Sequence, residues 1–75
     1  SSVKVSVVVK PGGRRVEVEL ERGGRVAELL EAMGYRPGTA VAVRRGEVLT
    51  EDEALRDGDK LEVYEAISGG YSPLG

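Results

Sequence analysis

The residues of this 75-residue sequence whose side chains could do chemistry are carboxylates and guanidiniums, because it contains neither cysteine nor histidine. Their absence excludes thiol catalysis, imidazole bases and zinc fingers. Acidic residues cluster between Glu51 and Asp59, but they lack the spacing of a calcium loop and fit a solvated surface turn better. No glycine-rich loop is followed by Lys-Ser or Lys-Thr, so a phosphate-binding loop is not indicated. We therefore expect a protein that is not an enzyme and binds no cofactor.

Arginine accounts for most of the cations and includes the adjacent pairs Arg14-Arg15 and Arg44-Arg45. No aromatic residue stands beside either pair to stack on a base, and the formal net charge is −2. A dedicated nucleic-acid binder is usually basic, so we expect no direct contact with nucleic acid. High charge with a single Met and no Cys is typical of thermophilic, including archaeal, proteins.

The hydrophobic pattern predicts six elements. Apolar and polar residues alternate over residues 3–9 and 14–20, which predicts a β-hairpin that turns at the first of three glycine pairs. Helical spacing of apolar residues over about 25–33, followed by Gly34, predicts one helix. Further strands are predicted at 41–44, 47–49 and 61–67. The three-residue spacing of Thr50 and Glu53 is that of a capping box, which predicts the start of a helical turn.

These elements pack best as an α+β fold, with one helix across one face of a mixed sheet of four to five strands. The continuous apolar run Val7-Val8-Val9 suits a central strand, and the last strand is its natural neighbour. This is the β-grasp arrangement. We expect a monomeric β-grasp domain over residues 1–67 and a flexible tail over residues 68–75.

The face of the sheet opposite the helix is predicted to carry a small apolar patch. If Val5, Val7, Val43 and Val63 face the helix, alternation places the neighbouring residues on the open face, rimmed by Arg44 and Arg45. Such a patch often marks a protein-binding site, although scattered apolar surface groups need no explanation. The predicted partner-binding residues are Val8, Ala42, Arg44, Tyr64 and Ala66.

The element order and the segment Leu61-Glu62-Val63-Tyr64-Glu65-Ala66-Ile67-Ser68-Gly69-Gly70 resemble the ubiquitin-like sulfur carriers of thiamine, molybdopterin and tRNA 2-thiouridine synthesis, and the small archaeal modifiers. The ending Ala66-Ile67-Ser68-Gly69-Gly70 and the segment Val41-Ala42-Val43-Arg44-Arg45-Gly46-Glu47 look most similar to the tRNA-thiolation carriers. The glycine pair that directly follows the last strand carries more weight than the two earlier pairs, which are predicted turns.

The resemblance implies that Gly69 and Gly70 are the acyl or conjugation site. In such proteins a ubiquitin-activating-type enzyme uses ATP to adenylate the terminal glycine carboxylate. The acyl-adenylate then becomes a thiocarboxylate with the help of a sulfurtransferase, or is passed to a lysine of a target protein. Glycine suits a tail that threads into a narrow site, because it has no Cβ. Cytoplasmic location, without a membrane span or signal peptide, is expected.

In this sequence Gly70 is joined to Tyr71 by a peptide bond, and four more residues follow. Three explanations are open: cleavage at the Gly70–Tyr71 junction, for which a JAMM-type metalloprotease would suit a prokaryote; an expression artefact; or a vestigial glycine pair in a domain that works only by binding. The sequence thus predicts a carrier or modifier activated at Gly70, or alternatively a β-grasp interaction module without acyl chemistry.

Overall fold

The computed structural model describes residues 1–65, which form a five-stranded sheet and one helix. The strands, in the sheet order β2-β1-β5-β3-β4, are antiparallel neighbours except for the parallel pair β1 and β5. This is the predicted mixed sheet with one helix. The predicted tail and the domain boundary at residue 67 lie outside the described residues. The elements are β1 Ser2–Lys10, β2 Arg14–Glu21, α1 Val26–Ala32, β3 Ala40–Arg44, β4 Glu47–Leu49 and β5 Lys60–Glu65.

The core lies between α1 and the two central strands. Alternate valines of β1, from Val3 to Val9, are buried together with Leu61 and Val63 of β5 and with Leu29 of the helix. β1 is hydrogen-bonded to β2 on one side and to β5 on the other. The prediction that β1 is a central strand beside the last strand is therefore confirmed. Its apolar run is continuous because Val8, on the outer face, is also half-buried.

The side chains of β3 have the opposite facing to the one predicted. Ala42 is fully buried in the core and pairs with Val63, so Val41 and Val43 point to the open face. The prediction that Ala42 belongs to an exposed patch, and that Val43 faces the helix, is wrong. Residues 40–43 are apolar at every position, so alternation cannot fix the phase of this strand. The pairing with β5 fixes it, because a shift of one residue exchanges the two faces.

The reversed facing also moves Arg44 to the helix side. Its guanidinium is half-buried and donates to the carboxylates of Asp59 at 3.2 Å and Glu53 at 3.4 Å. Arg44 therefore ties the end of β3 to the loop before β5. The prediction that Arg44 rims the open face is wrong for the same reason of register.

Residues 50–55 do not begin a helix, contrary to the capping-box prediction. Thr50 accepts one turn-type hydrogen bond from the amide of Glu53 at 3.1 Å. The carbonyls of Glu51 and Glu53 instead accept from the amides of Ala27 and Val26, each at 3.0 Å. These amides belong to the first turn of α1, whose N–H groups have no partner within the helix. The segment is thus held as a cap for α1.

The C-terminal end of α1 fixes the position of a tyrosine ring. The amide of Tyr35 donates to the carbonyl of Leu30 and the amide of Gly34 to that of Glu31, both at 2.9 Å, which is a Schellman motif. Gly34 has φ +94°, a conformation that side-chain-bearing residues rarely adopt. The Tyr35 ring packs partly buried against the core, and its hydroxyl donates to a carboxylate oxygen of Glu65 at 2.5 Å.

The facing of β3 is testable with two aspartate substitutions at adjacent positions. We expect Ala42→Asp to lower the free energy of unfolding by at least about 3 kcal/mol, because it leaves an unpaired carboxylate in the core. Val41→Asp, at a position 45% exposed, should lower it by only about 1 kcal/mol, the range of strand propensities. Urea denaturation followed by circular dichroism measures both, and equal losses would contradict the register.

The environment of Tyr35 is testable by alkaline titration. Burial, followed by the hydrogen bond and the charge of Glu65, raises the pKa of Tyr35 to about 12. Because the folded pKa exceeds that of a free phenol, about 10, the stabilisation is complete below pH 10 and is lost as the pH rises toward 12. The difference in phenolate absorbance between wild type and Tyr35→Phe should titrate near pH 12. A difference curve centred near pH 10 would show that the ring is not held as described.

Candidate functional site

The predicted acyl site at Gly69 and Gly70, the junction with Tyr71, and Ala66 all lie outside the described residues. The structure describes the point from which they follow, Glu65 at the end of β5. Tyr64 pairs with Lys10 of β1, and Glu65 pairs with Ala40 of β3, so the strand is held from both sides up to its end. Five residues further along the chain, Gly70 can lie at most about 18 Å from Glu65. Chain length therefore keeps Gly70 within that distance of the end of β5.

The end of β5 is surrounded by groups from two other parts of the fold. Tyr35, in the loop after α1, binds the Glu65 carboxylate through its hydroxyl. Arg14, the first residue of β2, lies close enough for its positive charge to oppose part of the rise in the Tyr35 pKa. The described end of β5 is thus flanked by a small group of polar side chains: the Tyr35 phenol, the Glu65 carboxylate and the Arg14 guanidinium.

The exposed large hydrophobic residues of the described chain lie together on the open face. They are Tyr64, which is 42% exposed, Val41, its direct partner across the sheet, and Val48, which is 68% exposed and pairs with Val43. Half-buried Val8 lies in the same row, since Val8 and Val43 both pair with Glu62. We call Val8, Val41, Val43, Val48 and Tyr64 the open-face patch.

The predicted patch and the observed one share Val8 and Tyr64. Ala42 and Arg44 are removed by the facing of β3, which brings in Val41 and Val43 instead. Val48 was missed because β4 is only three residues long. Its pairing with Val43 was the missing information, since paired residues in an antiparallel ladder share a face.

Cations stand along the margin of the open-face patch. Lys10 pairs with Tyr64, and Arg15 pairs with Val8. Arg45 and Lys60 line a shallow depression together with Val8 and Val43. The hydroxyl of Tyr64 donates to Glu62 at 3.1 Å, and this carboxylate raises the pKa of Tyr64. Glu62 lies within the patch between Val8 and Val43, and Val43 is only 9% exposed. An apolar face that carries one carboxylate and has cations along its margin is typical of a surface for protein contact.

Residues 1–65 include neither histidine nor cysteine. Within this range no group of three or more His, Cys, Asp and Glu side chains is placed to hold a metal ion. No helix in the same range is long and apolar enough to cross a membrane. What the described part of the chain offers is a binding face and a rigid base for its C-terminal residues.

Two proteins are similar to this chain in sequence over about three quarters of its length. "Sulfur carrier protein TtuB" of Thermus thermophilus is 48% identical over 56 residues, which span 75% of this chain and 86% of the relative. An uncharacterized protein of Archaeoglobus fulgidus is 37% identical over 57 residues, covering 76% of this chain and 82% of its own length. The first of these is named as a carrier, which confirms the prediction that the chain is not an enzyme.

Solved structures with this architecture are ubiquitin-like. The ubiquitin of Caldiarchaeum subterraneum superposes with a TM-score of 0.67 at 21% identity, covering 87% of this chain and 94% of its own. The ubiquitin-like domain of Plasmodium falciparum Dsk2 superposes with a TM-score of 0.72 at 19% identity, covering 87% and 99%. At these identities the likeness establishes the fold, which confirms the predicted β-grasp.

The family model that matches the sequence is that of the ThiS family, and the match covers residues 7–70. It begins within β1, includes the other four strands and the helix, and ends at the second glycine of the predicted acyl site. The resemblance stated from the sequence is thereby confirmed, and the chain belongs to the ThiS family.

Proposed function

We propose that this protein is a ubiquitin-like sulfur carrier that works through the carboxyl group of Gly70. One observation carries the proposal: the chain is 48% identical to a protein named as a sulfur carrier. The end of the family match at residue 70 gives separate support for Gly70 as the acyl end, since Tyr71 to Gly75 fall beyond it. The geometry agrees, because the described residues offer a contact surface and a held strand end but no reactive side-chain group.

The chemistry of such an end needs three steps. Water first adds across the Gly70–Tyr71 peptide bond, which frees the Gly70 carboxylate; a metalloprotease of the JAMM type is the proposed catalyst. The carboxylate then attacks the α-phosphorus of ATP on the activating enzyme, so that pyrophosphate leaves and an acyl-adenylate remains. The terminal sulfur of a persulfide on a sulfurtransferase finally displaces AMP, and a second thiol cleaves the resulting acyl disulfide, so that a disulfide forms between the two thiols and the thiocarboxylate is released. ATP is therefore a substrate of the partner and not a group bound by this chain.

Conjugation uses the same adenylate. If a lysine amine of a target protein displaces AMP, an isopeptide bond to Gly70 forms instead of a thiocarboxylate. Both outcomes require the same free glycine end, and the partner enzymes choose between them. Sulfur carriage is the proposed primary role because it is the activity named for the relative at 48% identity.

The open-face patch favours a second candidate function, that of a protein-interaction module without acyl chemistry. Three of its residues are substantially exposed, which is unusual for large apolar side chains that have no partner. The two functions are compatible, since the activating enzyme also needs a surface to hold. We propose that this enzyme docks on the patch, with acidic groups opposite the basic margin.

The mass of the protein isolated from its native cell separates the two functions. If the carrier function holds, we expect a species that ends at Gly70, as the carboxylate or as the thiocarboxylate, which is heavier by the difference between sulfur and oxygen. Alkylation with iodoacetamide labels the thiocarboxylate specifically in this chain, because it contains no cysteine. A protein that is always intact through Gly75 would contradict the carrier function and leave the interaction module.

Activation by the cognate enzyme tests the identity of the acyl end. In a form that ends at residue 70, we expect Gly70→Ala to lower kcat/KM for ATP–pyrophosphate exchange at least about tenfold, or ~1.4 kcal/mol, because a methyl group must enter a channel fitted to glycine. Gly12→Ala is the matched control, since a Cβ there meets no atom within 4 Å. Equal rates for wild type and Gly70→Ala would show that the pair is not the reactive end.

A further inference from the structure

The described part of β5 ends at Glu65. β1 ends at Lys10, the partner of Tyr64, and β3 begins at Ala40, the partner of Glu65. The ladder partners of β5 on its two sides therefore end within one residue of each other. Backbone hydrogen bonds at the ends of ladders open more easily than central ones, so a side-chain contact at Glu65 has a large effect on how firmly this strand end is held.

Such a contact is the hydrogen bond from the Tyr35 hydroxyl to the Glu65 carboxylate, which we call the clasp. The distance from the Tyr35 hydroxyl oxygen to the Glu65 carboxylate oxygen is 2.5 Å. Hydrogen bonds to a carboxylate are charge-assisted and are stronger than those between two neutral groups. The rise in the Tyr35 pKa agrees with a phenol held beside a carboxylate and partly buried. The clasp joins residues thirty positions apart in sequence and so links the loop after α1 to the end of β5.

The donor of the clasp is held independently of the tail. The Schellman motif at Gly34 fixes the backbone of Tyr35, and the ring packs against the core. By contrast, the bond from Tyr64 to Glu62 joins two exposed side chains of the same strand, two residues apart, and connects no separate elements. Of these two side-chain bonds, the clasp is the one that connects the loop after α1 to the end of β5.

We propose that Tyr35 is a positioning residue which, through Glu65, holds the end of β5 in place and so fixes the point in the fold from which residues 66–70 follow. Because Gly70 is five residues from Glu65 along the chain, a fixed Glu65 limits the positions open to Gly70, which raises the frequency with which it meets the activating enzyme's site while the domain is docked. The effect on activation rests on the proposed function of Gly70. The effect on the strand end does not.

Hydrogen exchange measured by NMR tests the strand end on forms that end at residue 70. We expect Tyr35→Phe to speed exchange of the amides of residues 63–65 roughly threefold to tenfold, with β1–β2 amides unchanged, because only the clasp is lost. Glu65→Ala should reproduce this result, and the double variant should exchange no faster than either single one. Tyr64→Phe is the matched control for exchange. Unchanged exchange at residues 63–65 in Tyr35→Phe and Glu65→Ala would overturn the clasp, whatever the function of Gly70.

Adenylation kinetics test the positioning role. With the same variants, we expect KM for the carrier to rise about threefold to tenfold and kcat to stay unchanged, since the reacting atoms are the same. Glu65→Gln keeps an acceptor and should recover most of the loss. Ser2→Ala, which removes a 2.6 Å hydrogen bond to Glu19 at the far end of β1, is the control that should leave KM unchanged.

The outcomes distinguish this proposal from the proposed function. A wild-type form that is not adenylated at all contradicts the function of Gly70, while the exchange data still decide on the clasp. Faster exchange with an unchanged KM overturns the positioning role of Tyr35. Faster exchange with a raised KM, both recovered by Glu65→Gln, supports it.

Discussion

The parallel ladder between β1 and β5 joins residues 6–10 to residues 60–64 at the centre of the sheet. It brings the first and last strands of the described chain side by side, so the remaining elements are arranged around it. β2 extends the sheet from β1, β3 and β4 extend it from β5, and α1 covers the shared apolar face. β5 is the middle strand of the sheet, so the residues that follow it in sequence are attached to a strand that is hydrogen-bonded on both sides. A parallel pair can only be closed by a long connection, and α1, β3 and β4 are all contained in that connection.

The dependence of the sheet on pairing between distant strands explains which parts of the fold can be predicted from the sequence. The hairpin, the helix and the element order are set by alternation and by helical spacing, and they agree with the structure. The continuous apolar run of Val7, Val8 and Val9 was enough to identify β1 as a central strand. These features are local: the hairpin and the helix each have one apolar and one polar face, and the apolar run lies within a single strand.

The features that sequence did not predict depend on pairing between distant residues. Residues 40–43 are apolar in both phases, and only the contact of Ala42 with Val63 decides which side faces the core. The Thr50 and Glu53 spacing is that of a local cap, but the carbonyls of the same segment are used by the amides of Val26 and Ala27. Both errors have one physical cause: hydrogen bonds to distant parts of the chain stabilise the observed conformation more than the local sequence preference stabilises the predicted one. The error in β3 then passed directly to the candidate site, since Ala42 and Arg44 were placed on the wrong face.

In the proposed function the reactive group is a backbone carboxylate, to which the usual side-chain signs of an active site do not apply. The first two glycine pairs are part of the fold, since Gly13 and Gly23 have φ of +79° and +87° in turns next to β2. Gly69 and Gly70 lie outside the described residues, and in the proposed function their lack of a side chain serves passage into a partner's site. The proposed function gives the chain two tasks, to present a surface that the partner recognises and to hold the strand end from which residues 66–70 follow. Tyr64 of the open-face patch and Glu65 of the clasp are adjacent residues of β5, so under this proposal the end of one strand serves both tasks. A partner that docks on Tyr64 would contact the residue next to Glu65, so recognition and positioning would be coupled through neighbouring residues.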